Sequence, residues 1–170
     1  MKTKALLDAA RAMEFLHASN ILHRDFKPEN LLVTSLEVNS PVVCKLSDFG
    51  TTKGANTLVK ASMTKGMGTL LYKAPEVLKG TEEYDNKADV FSFGITMAFT
   101  ADGKRPYHDF EFKSEWQFGD AVLKGRRPTV ESDLPSDYLS LMQACWDGVP
   151  SKRPDFNTIV KVLTSLFDSL

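Results

Sequence analysis

Apolar residues recur at helical spacing in the first part of the chain. Leu6, Ala10 and Met13 follow one another three or four positions apart, and Asn20 comes shortly after them. Residues at this spacing share one face of a helix, and Asn tolerates the left-handed backbone that ends many helices. The pattern therefore predicts a first helix from about Ala5 to Ala18.

Two short runs of β-prone residues follow this helix, at Leu31 to Val33 and Val42 to Leu46. The polar connection between them contains Asn39, Ser40 and Pro41, residues that favour turns. Two such runs joined by a polar loop are typical of a β-hairpin, which we expect here.

The stretch from Thr51 to Lys73 is rich in Thr, Lys and Gly and has no steady hydrophobic period. This composition predicts a mobile surface segment rather than a packed element.

Beyond this stretch the chain is predicted to be helical. The first of these helices is capped by Asp85 or Asn86 and runs through Phe99, and the second starts at Ser114 and ends at Gly125. The third starts at Ser136 and ends before Gly148, and the last starts near Asp155. In the last helix, one apolar stripe contains Phe156, Ile159, Val160, Leu163, Leu166, Phe167 and Leu170. The predicted fold class is mainly α (α+β), with five or more helices and one short hairpin.

The composition supports one domain over residues 1–170. The chain is 42% hydrophobic, which is enough for one sizeable core, and no linker or repeat divides it. With 21 basic and 22 acidic residues the net charge is -1, so no general attraction to nucleic acid or to an anionic membrane surface is expected. The apolar run Val90 to Phe99 is much shorter than the roughly 20 residues that span a bilayer, and it predicts a buried helix.

The cysteines and tryptophans carry two further expectations. Cys44 and Cys145 are far apart, lack metal-ligand spacing and occur in a chain without a leader sequence, which favours a reducing, cytoplasmic location. Trp116 and Trp146 are expected to pack in the core rather than to stack on a ligand.

Three side chains have the chemistry for phosphoryl transfer. Asp25 and Asn30 are separated by four residues in the run HRDFKPEN, and Asp48 precedes Phe49 and Gly50. A carboxylate can accept the proton of an attacking hydroxyl, while an amide and a second carboxylate provide oxygen ligands for Mg²⁺. We therefore expect Asp25 to be the base and Asn30 and Asp48 to bind the metal.

These motifs, followed by Ala74-Pro75-Glu76, occur in the order found in protein kinases, and the chain resembles that family over essentially all 170 residues. The resemblance covers only the larger, C-terminal lobe of a kinase. It implies ATP and Mg²⁺ as cofactors, a protein substrate, a catalytic loop over residues 23–30 and an activation segment over residues 48–76.

The resemblance also implies roles for single residues. Lys27 would point at the transferring phosphate, Thr69 would contact both Asp25 and Lys27, and Leu32 would form the floor under adenine. Lys27 and Thr69 in these places favour serine or threonine hydroxyls.

Structural roles follow from the same resemblance. Glu76 would pair with Arg153, Asp89 would anchor the backbone of the catalytic loop, and His23 and Phe49 would belong to the hydrophobic column that links the two lobes of a kinase. The residues most similar to the tyrosine-kinase-like branch are Cys145, Trp146, Pro150, Arg153, Pro154, Phe156 and the run 89–94.

A regulatory expectation concerns the activation segment. Arg24 and Lys53 occupy positions where related kinases grip a phosphorylated residue, and a phosphate carries the charge for such a contact. The available acceptors are Thr57, Ser62 and Thr64, of which Thr64 is favoured.

Two functions remain open at this point. The first is a kinase lobe that works within a complete kinase domain, and the second is a catalytically silent interaction module. Only 22 residues precede His23, and they hold neither a glycine-rich loop nor a strand lysine. We therefore expect negligible activity from these residues alone. The apolar surface near Leu32 and Phe49 would then meet an N-terminal lobe or a second copy of the chain.

Overall fold

The fold is known from a computed structural model that describes residues 1–37, 39–48, 53–54, 67–80 and 85–169. The α-helices in these ranges are α1 (Lys2–Ala18), α2 (Met67–Leu70), α3 (Pro75–Leu78), α4 (Lys87–Asp102), α5 (Glu115–Leu123), α6 (Ser136–Cys145) and α7 (Phe156–Asp168). The strands are β1 (Ile21–Leu22), β2 (Leu31–Val33), β3 (Cys44–Leu46) and β4 (Lys53–Gly54), and short 3₁₀ helices occupy Pro28–Asn30 and Pro150–Lys152. The predicted mainly helical fold class is confirmed.

Helix α1 begins three residues earlier than the apolar pattern predicted. Its first turn is polar, but Lys4 Nζ donates to Asp8 Oδ1 at 2.6 Å and to the Pro41 carbonyl at 3.0 Å, and both side chains are buried. Asp8 Oδ2 in turn accepts from the backbone N–H groups of Val43 and Cys44. These tertiary contacts fix the first turn, which no hydrophobic period could reveal.

The end of α1 agrees with the prediction. Asn20 has a left-handed backbone with φ of 55°, and its N–H donates to the His17 carbonyl. The chain then turns into β1.

Helix α4 is the buried centre of the molecule, and every residue from Ala88 to Ala98 is buried. Asp85 Oδ1 accepts from the Lys87 N–H, so Asp85 is the capping side chain of the two candidates. The helix continues three residues past Phe99, because Gly103 supplies the left-handed turn with φ of 70°. None of the helices in the described ranges is long and apolar enough to cross a membrane.

The capping residues predicted for α5 and α7 are confirmed. Ser114 Oγ accepts from the Gln117 N–H, and Asp155 Oδ1 accepts from the Thr158 N–H. For α6 the predicted start is also the first helical residue, Ser136, which follows Pro135. The apolar stripe of α7 buries Phe156, Ile159 and Leu163.

The predicted hairpin consists of β2 and β3, which pair antiparallel with Leu31 opposite Leu46 and Val33 opposite Cys44. The second strand begins at Cys44 rather than Val42. The Thr34 N–H still donates to the Val43 carbonyl, but the Val42 carbonyl accepts from the Thr34 and Ser40 hydroxyls, so side chains replace backbone donors at Val42.

A second antiparallel pair joins β1 to β4, with Ile21 opposite Gly54 and Leu22 opposite Lys53. The sequence did not predict it. The pair links the chain just after Asp48 to the chain just before the catalytic loop.

The prediction of a mobile surface segment from Thr51 to Lys73 is wrong at its C-terminal end. Leu70, Leu71 and Tyr72 are buried, and the Tyr72 carbonyl accepts from the Ser92 hydroxyl at 2.8 Å. Three buried residues in a row give no helical or strand period, so the pattern could not distinguish them from a loop.

The prediction for the tryptophans is half wrong. Trp146 is buried, but the side chain of Trp116 is 79% exposed. The buried residues of helix α5 are Phe118 and Val122, which lie on one face of the helix. Trp116 lies two positions before Phe118, which is about 200° around the helix, so it faces away from the core.

The close approach of α4 and α6 gives a test of this packing. A Cβ added at Gly94 would lie 2.8 Å from Cys145 Cβ and 3.2 Å from the Trp146 nitrogen. We expect Gly94→Ala to destabilise the chain by about 1–3 kcal/mol through overpacking. Urea unfolding followed by circular dichroism measures this change.

Gly119 in α5 is the matched control, because no described atom lies within 4 Å of a Cβ added there. Gly119→Ala should stabilise the chain by up to about 1 kcal/mol through helix propensity alone. Stabilisation of both variants would contradict the packing described for Gly94.

Candidate active site

The loop after β1 is held in an unusual backbone conformation. Arg24 has φ of 70°, a left-handed value that costs a residue with a side chain about 1–3 kcal/mol. The buried carboxylate of Asp89 on α4 offsets this cost, since Oδ2 accepts from the His23 N–H at 2.9 Å and Oδ1 accepts from the Arg24 N–H at 2.8 Å. Asp89 therefore anchors the loop, as the resemblance implied.

His17 contributes to the same anchor and was not identified from the sequence. Its Nε2 lies 3.0 Å from Asp89 Oδ2, and its ring packs edge-on against Phe156. A buried carboxylate needs several polar partners. His17 on α1 supplies one beyond the two backbone N–H groups.

Asp25 follows in this loop, and its carboxylate is gripped by two lysines. Lys27 Nζ donates to Oδ2 at 2.8 Å, and Lys73 Nζ donates to Oδ1 at 3.2 Å. Burial by itself would raise the pKa of the Asp25 carboxyl, but the hydrogen bonds and charges of Lys27 and Lys73 hold it below its usual value. The side chain is therefore an ionised acceptor at neutral pH.

Lys27 also reaches the activation segment. Its Nζ donates to Thr69 Oγ1 in α2 at 3.1 Å while it holds Asp25. Thr69 and Asp25 therefore share one ammonium group, and the structure brings together the three residues that the resemblance grouped.

Asn30 ends the short 3₁₀ helix Pro28–Asn30 and is buried. Its Nδ2 donates to the Asp25 carbonyl at 2.8 Å and lies 3.5 Å from Asp25 Oδ2. Because these contacts are made through the amide nitrogen, Oδ1 is the atom suited to a metal.

Asp48 is brought to this place through the residue before it. The Ser47 N–H and hydroxyl both donate to the Asn30 carbonyl, at 2.9 and 3.0 Å. Asp48 follows with a left-handed backbone, φ of 60°, and an exposed side chain. Amide and carboxylate oxygens are ligands that Mg²⁺ prefers, so Asn30 and Asp48 fit the metal that the sequence predicted.

The remaining predicted site residues are Leu32, His23 and Phe49. Leu32 lies on β2 with its side chain 54% exposed. His23 is buried, and its Nε2 lies 3.2 Å from the Ser47 carbonyl. Phe49, its predicted partner in the hydrophobic column, lies outside the described residues.

Apart from Arg24, the side chains of the predicted regulatory residues lie outside the part of the chain that the structure describes. This applies to the predicted acceptors Thr57, Ser62 and Thr64 and to the side chain of Lys53. Phosphorylation of Thr64 stays a prediction.

The predicted ion pair of Glu76 with Arg153 is confirmed. The guanidinium contacts the carboxylate with both arms, Nη1 to Oε1 at 2.6 Å and Nη2 to Oε2 at 2.9 Å. Arg153 is 2% exposed, and it also donates to the Asp147 and Lys87 carbonyls. Such bidentate contacts combine charge with a fixed direction. The pair therefore ties α3 to the 3₁₀ helix Pro150–Lys152.

A family model for the protein kinase domain matches residues 2–163 of the chain. The chain belongs to the protein kinase family. It is 38% identical over 163 residues to a probable LIM domain-containing serine/threonine-protein kinase of Dictyostelium discoideum, which covers 96% of this chain and 23% of that protein. It is 33% identical over 172 residues to the probable serine/threonine-protein kinase roco11 of the same organism, covering 99% of this chain and 11% of that protein. The chain thus spans less than a quarter of the length of these relatives.

Within this kinase family fold, the sequence did not identify Lys73 as a site residue. It stands in the run that includes Thr69 and Glu76, yet nothing in that run distinguishes an inward lysine from a solvated one. An unusual charge directly before a buried Ala74-Pro75 step is the only signal that could have drawn attention to it.

The Glu76 and Arg153 pair gives a testable prediction. We expect Arg153→Met to destabilise the chain by about 3–5 kcal/mol, because it removes the bidentate guanidinium from the Glu76 carboxylate at a largely buried site. Urea unfolding followed by tryptophan fluorescence gives the free energy.

The control is Lys124→Met, which removes an ion pair with Asp120 whose lysine side chain is 74% exposed. That change should cost less than about 1 kcal/mol. Similar losses of unfolding free energy in the two variants would contradict a larger contribution of the Glu76 and Arg153 pair to stability.

Proposed function

We propose that this chain is the C-terminal lobe of a serine/threonine protein kinase domain and takes part in transfer of the terminal phosphoryl group of ATP to protein hydroxyls. The observation that carries the proposal is the ionised Asp25 carboxylate, which is held by Lys27 and lies beside Asn30. Ser47, the residue before Asp48, is hydrogen-bonded to the Asn30 carbonyl. Positioning and charge are what this reaction asks of a protein.

In the proposed reaction, Asp25 accepts the proton of the substrate hydroxyl as its oxygen forms a bond to the terminal phosphorus. The bond between that phosphorus and the bridging oxygen breaks, and ADP leaves. Lys27 supplies positive charge next to Asp25 and, through Thr69, keeps the activation segment at the same place. Asn30 Oδ1 and the Asp48 carboxylate would hold Mg²⁺, which neutralises phosphate charge when bound.

Serine and threonine are the proposed acceptors for two reasons. Lys27 and Thr69 are in contact, as the resemblance to this class of kinases implies. The relatives with the similarities given above are themselves named probable serine/threonine-protein kinases.

The alternative of a catalytically silent module is less well supported. The side chains Asp25, Asn30 and Lys27 form one hydrogen-bonded set, and Lys27 and Lys73 keep the Asp25 carboxylate ionised, as a base requires. An interaction module does not require these residues to be held together in this arrangement.

Residues 1–170 hold neither a glycine-rich loop nor a strand lysine ahead of His23. We propose that turnover needs those elements from a nucleotide-binding lobe. Leu32 on β2 is 54% exposed and offers apolar surface that such a lobe or the adenine ring would cover. A second copy of the chain is the competing occupant, which sedimentation would detect.

A cytoplasmic location is proposed on the basis of the cysteines. Cys44 and Cys145 are both free and buried, and burial raises the pKa of the Cys44 thiol to about 11. Unpaired thiols of this kind suit a reducing compartment.

The isolated chain provides one test. We expect residues 1–170 with Mg²⁺ and ATP to show negligible phosphorylation of a serine- and threonine-containing peptide library, because each missing charge-stabilising contact costs about 10²–10³ in rate. Incorporation of ³²P measures it. Transfer that depends on Asp25 in this chain alone would overturn the proposed need for a second lobe.

The completed domain provides the direct test of function. It joins this chain to the nucleotide-binding lobe of the 38% identical LIM domain-containing relative. Asp25→Asn should lower kcat by about 10²–10⁴, the contribution of a positioned base. The control Asp133→Asn changes an exposed carboxylate and should leave kcat unchanged. Full activity of the Asp25 variant would contradict its role as base.

A further inference from the structure

Lys73 has no role in the reaction described so far, yet its side chain points into the site. It lies two residues before the start of α3, and its side chain is only 13% exposed. Its Nζ donates to the Arg24 carbonyl at 2.7 Å and to Asp25 Oδ1 at 3.2 Å. A lysine that could extend into water instead ends at the residue proposed as the base.

The two contacts of Lys73 account for its burial. Taking an ammonium group out of water is costly unless acceptors replace the lost hydration. The Arg24 carbonyl and the Asp25 carboxylate are such acceptors, and one of them is charged. The side chain is therefore held by the catalytic loop.

The Asp25 carboxylate is thereby fixed at both of its oxygens. Lys27 holds Oδ2 from within the catalytic loop, and Lys73 holds Oδ1 from the end of the activation segment. Two contacts from opposite sides determine the plane of the carboxylate, which a single contact to one oxygen does not.

We infer that Lys73 is a positioning residue for the reaction, one that orients the Asp25 carboxylate and fastens the end of the activation segment to the catalytic loop. The inference rests on the proposed function, because it takes Asp25 as the base. Lys73 acts through Asp25 and is not assigned a contact with substrate.

A positioning role has to be distinguished from a latch that blocks Asp25. A latch must be able to leave, but the backbone on either side of Lys73 is firmly packed. Leu71, Tyr72 and Ala74 are buried at 3%, 5% and 1% exposure. The Tyr72 carbonyl is bonded to Ser92, and Glu76 is bonded to Arg153. Lys73 therefore extends from a fixed segment.

The hydrogen bonds also leave room for the substrate. Each carboxylate oxygen can accept two hydrogen bonds, so one donor at Oδ1 does not exclude a substrate hydroxyl. The shorter contact of Lys73 is to the Arg24 carbonyl, which does not take part in proton transfer. Lys73 can keep its place while Asp25 accepts a proton.

The first experiment needs no activity and uses residues 1–170. Carboxyl ¹³C NMR follows the titration of Asp25 in the wild type, in Lys73→Met and in Lys79→Met. Lys27, Lys73 and the Asn30 amide are the groups that face the Asp25 carboxylate in the described structure. Removal of one positive charge should raise the pKa of Asp25 in the Lys73 variant.

Lys79 is the matched control, because it is exposed and lies at the C-terminal end of α3, six residues after Lys73. Lys79→Met should leave the titration of Asp25 unchanged. If Lys73→Met also leaves it unchanged, with a native amide spectrum, the contact is absent and the inference falls. If Lys73→Met does not fold, Lys73→Gln provides the same comparison.

The second experiment uses the completed kinase domain. We expect Lys73→Met to lower kcat by up to about 10²-fold, the typical cost of misplacing a reacting group, while KM for ATP changes little. Lys73→Arg should recover part of the loss, and Lys79→Met should retain full kcat. A rise in kcat would identify Lys73 as an inhibitory latch and overturn the inference.

The two proposals fail in different ways. If Asp25→Asn keeps full activity, the proposed function of Asp25 is wrong. If Asp25→Asn loses activity while Lys73→Met keeps it, only the role of Lys73 is wrong. The NMR titration tests the contact between Lys73 and Asp25 in either case.

Discussion

The active site depends on the contact between one buried carboxylate and the backbone of one loop. Asp89 accepts hydrogen bonds from the His23 and Arg24 N–H groups, and this holds Arg24 in a left-handed conformation. Asp25 directly follows this turn, and its carboxylate is in contact with Lys27. Because Asp89 lies in the buried helix α4, the catalytic loop is attached to the core of the molecule rather than to its surface.

The activation segment is fastened to the same core at its C-terminal end. Glu76 and Arg153 tie α3 to the chain before α7, and Lys73, two residues before α3, ties the end of the activation segment to the catalytic loop. The carbonyl of Tyr72 is held by Ser92 of α4. Residues 72–76 therefore form a rigid attachment, whereas a hydrophobic pattern alone predicted a surface loop for part of this stretch.

Local chemistry was readable from the sequence wherever one residue determines the local structure. Ser114 and Asp155 cap helices as expected, Asn20 ends α1, and the two short apolar runs pair as the expected hairpin. Asp25, Asn30 and Lys27 were identified because their spacing belongs to a motif with a known mechanism. The structure brings these three side chains into contact.

Contacts between distant segments were not readable. His17 contacts Asp89, 72 positions away in the sequence, and Lys73 contacts Asp25, 48 positions away. The sequence around His17 and Lys73 does not distinguish either residue from one whose side chain lies in solvent. Trp116 was misplaced for a related reason, since the orientation of α5 is set by Phe118 and Val122 and not by the largest apolar residue. Such outcomes depend on tertiary packing, which local preference does not encode.

The buried pair of Lys4 and Asp8 limits which substitutions the first helix can accept. Asp8 serves three donors, the Lys4 ammonium and the Val43 and Cys44 N–H groups at the start of β3. Exchange of Lys4 leaves the carboxylate two backbone partners, whereas exchange of Asp8 removes the charged acceptor of Lys4, which keeps the Pro41 carbonyl, and also the acceptor of two buried N–H groups. Position 8 is therefore the less replaceable of the two during evolution, although neither residue lies in the active site.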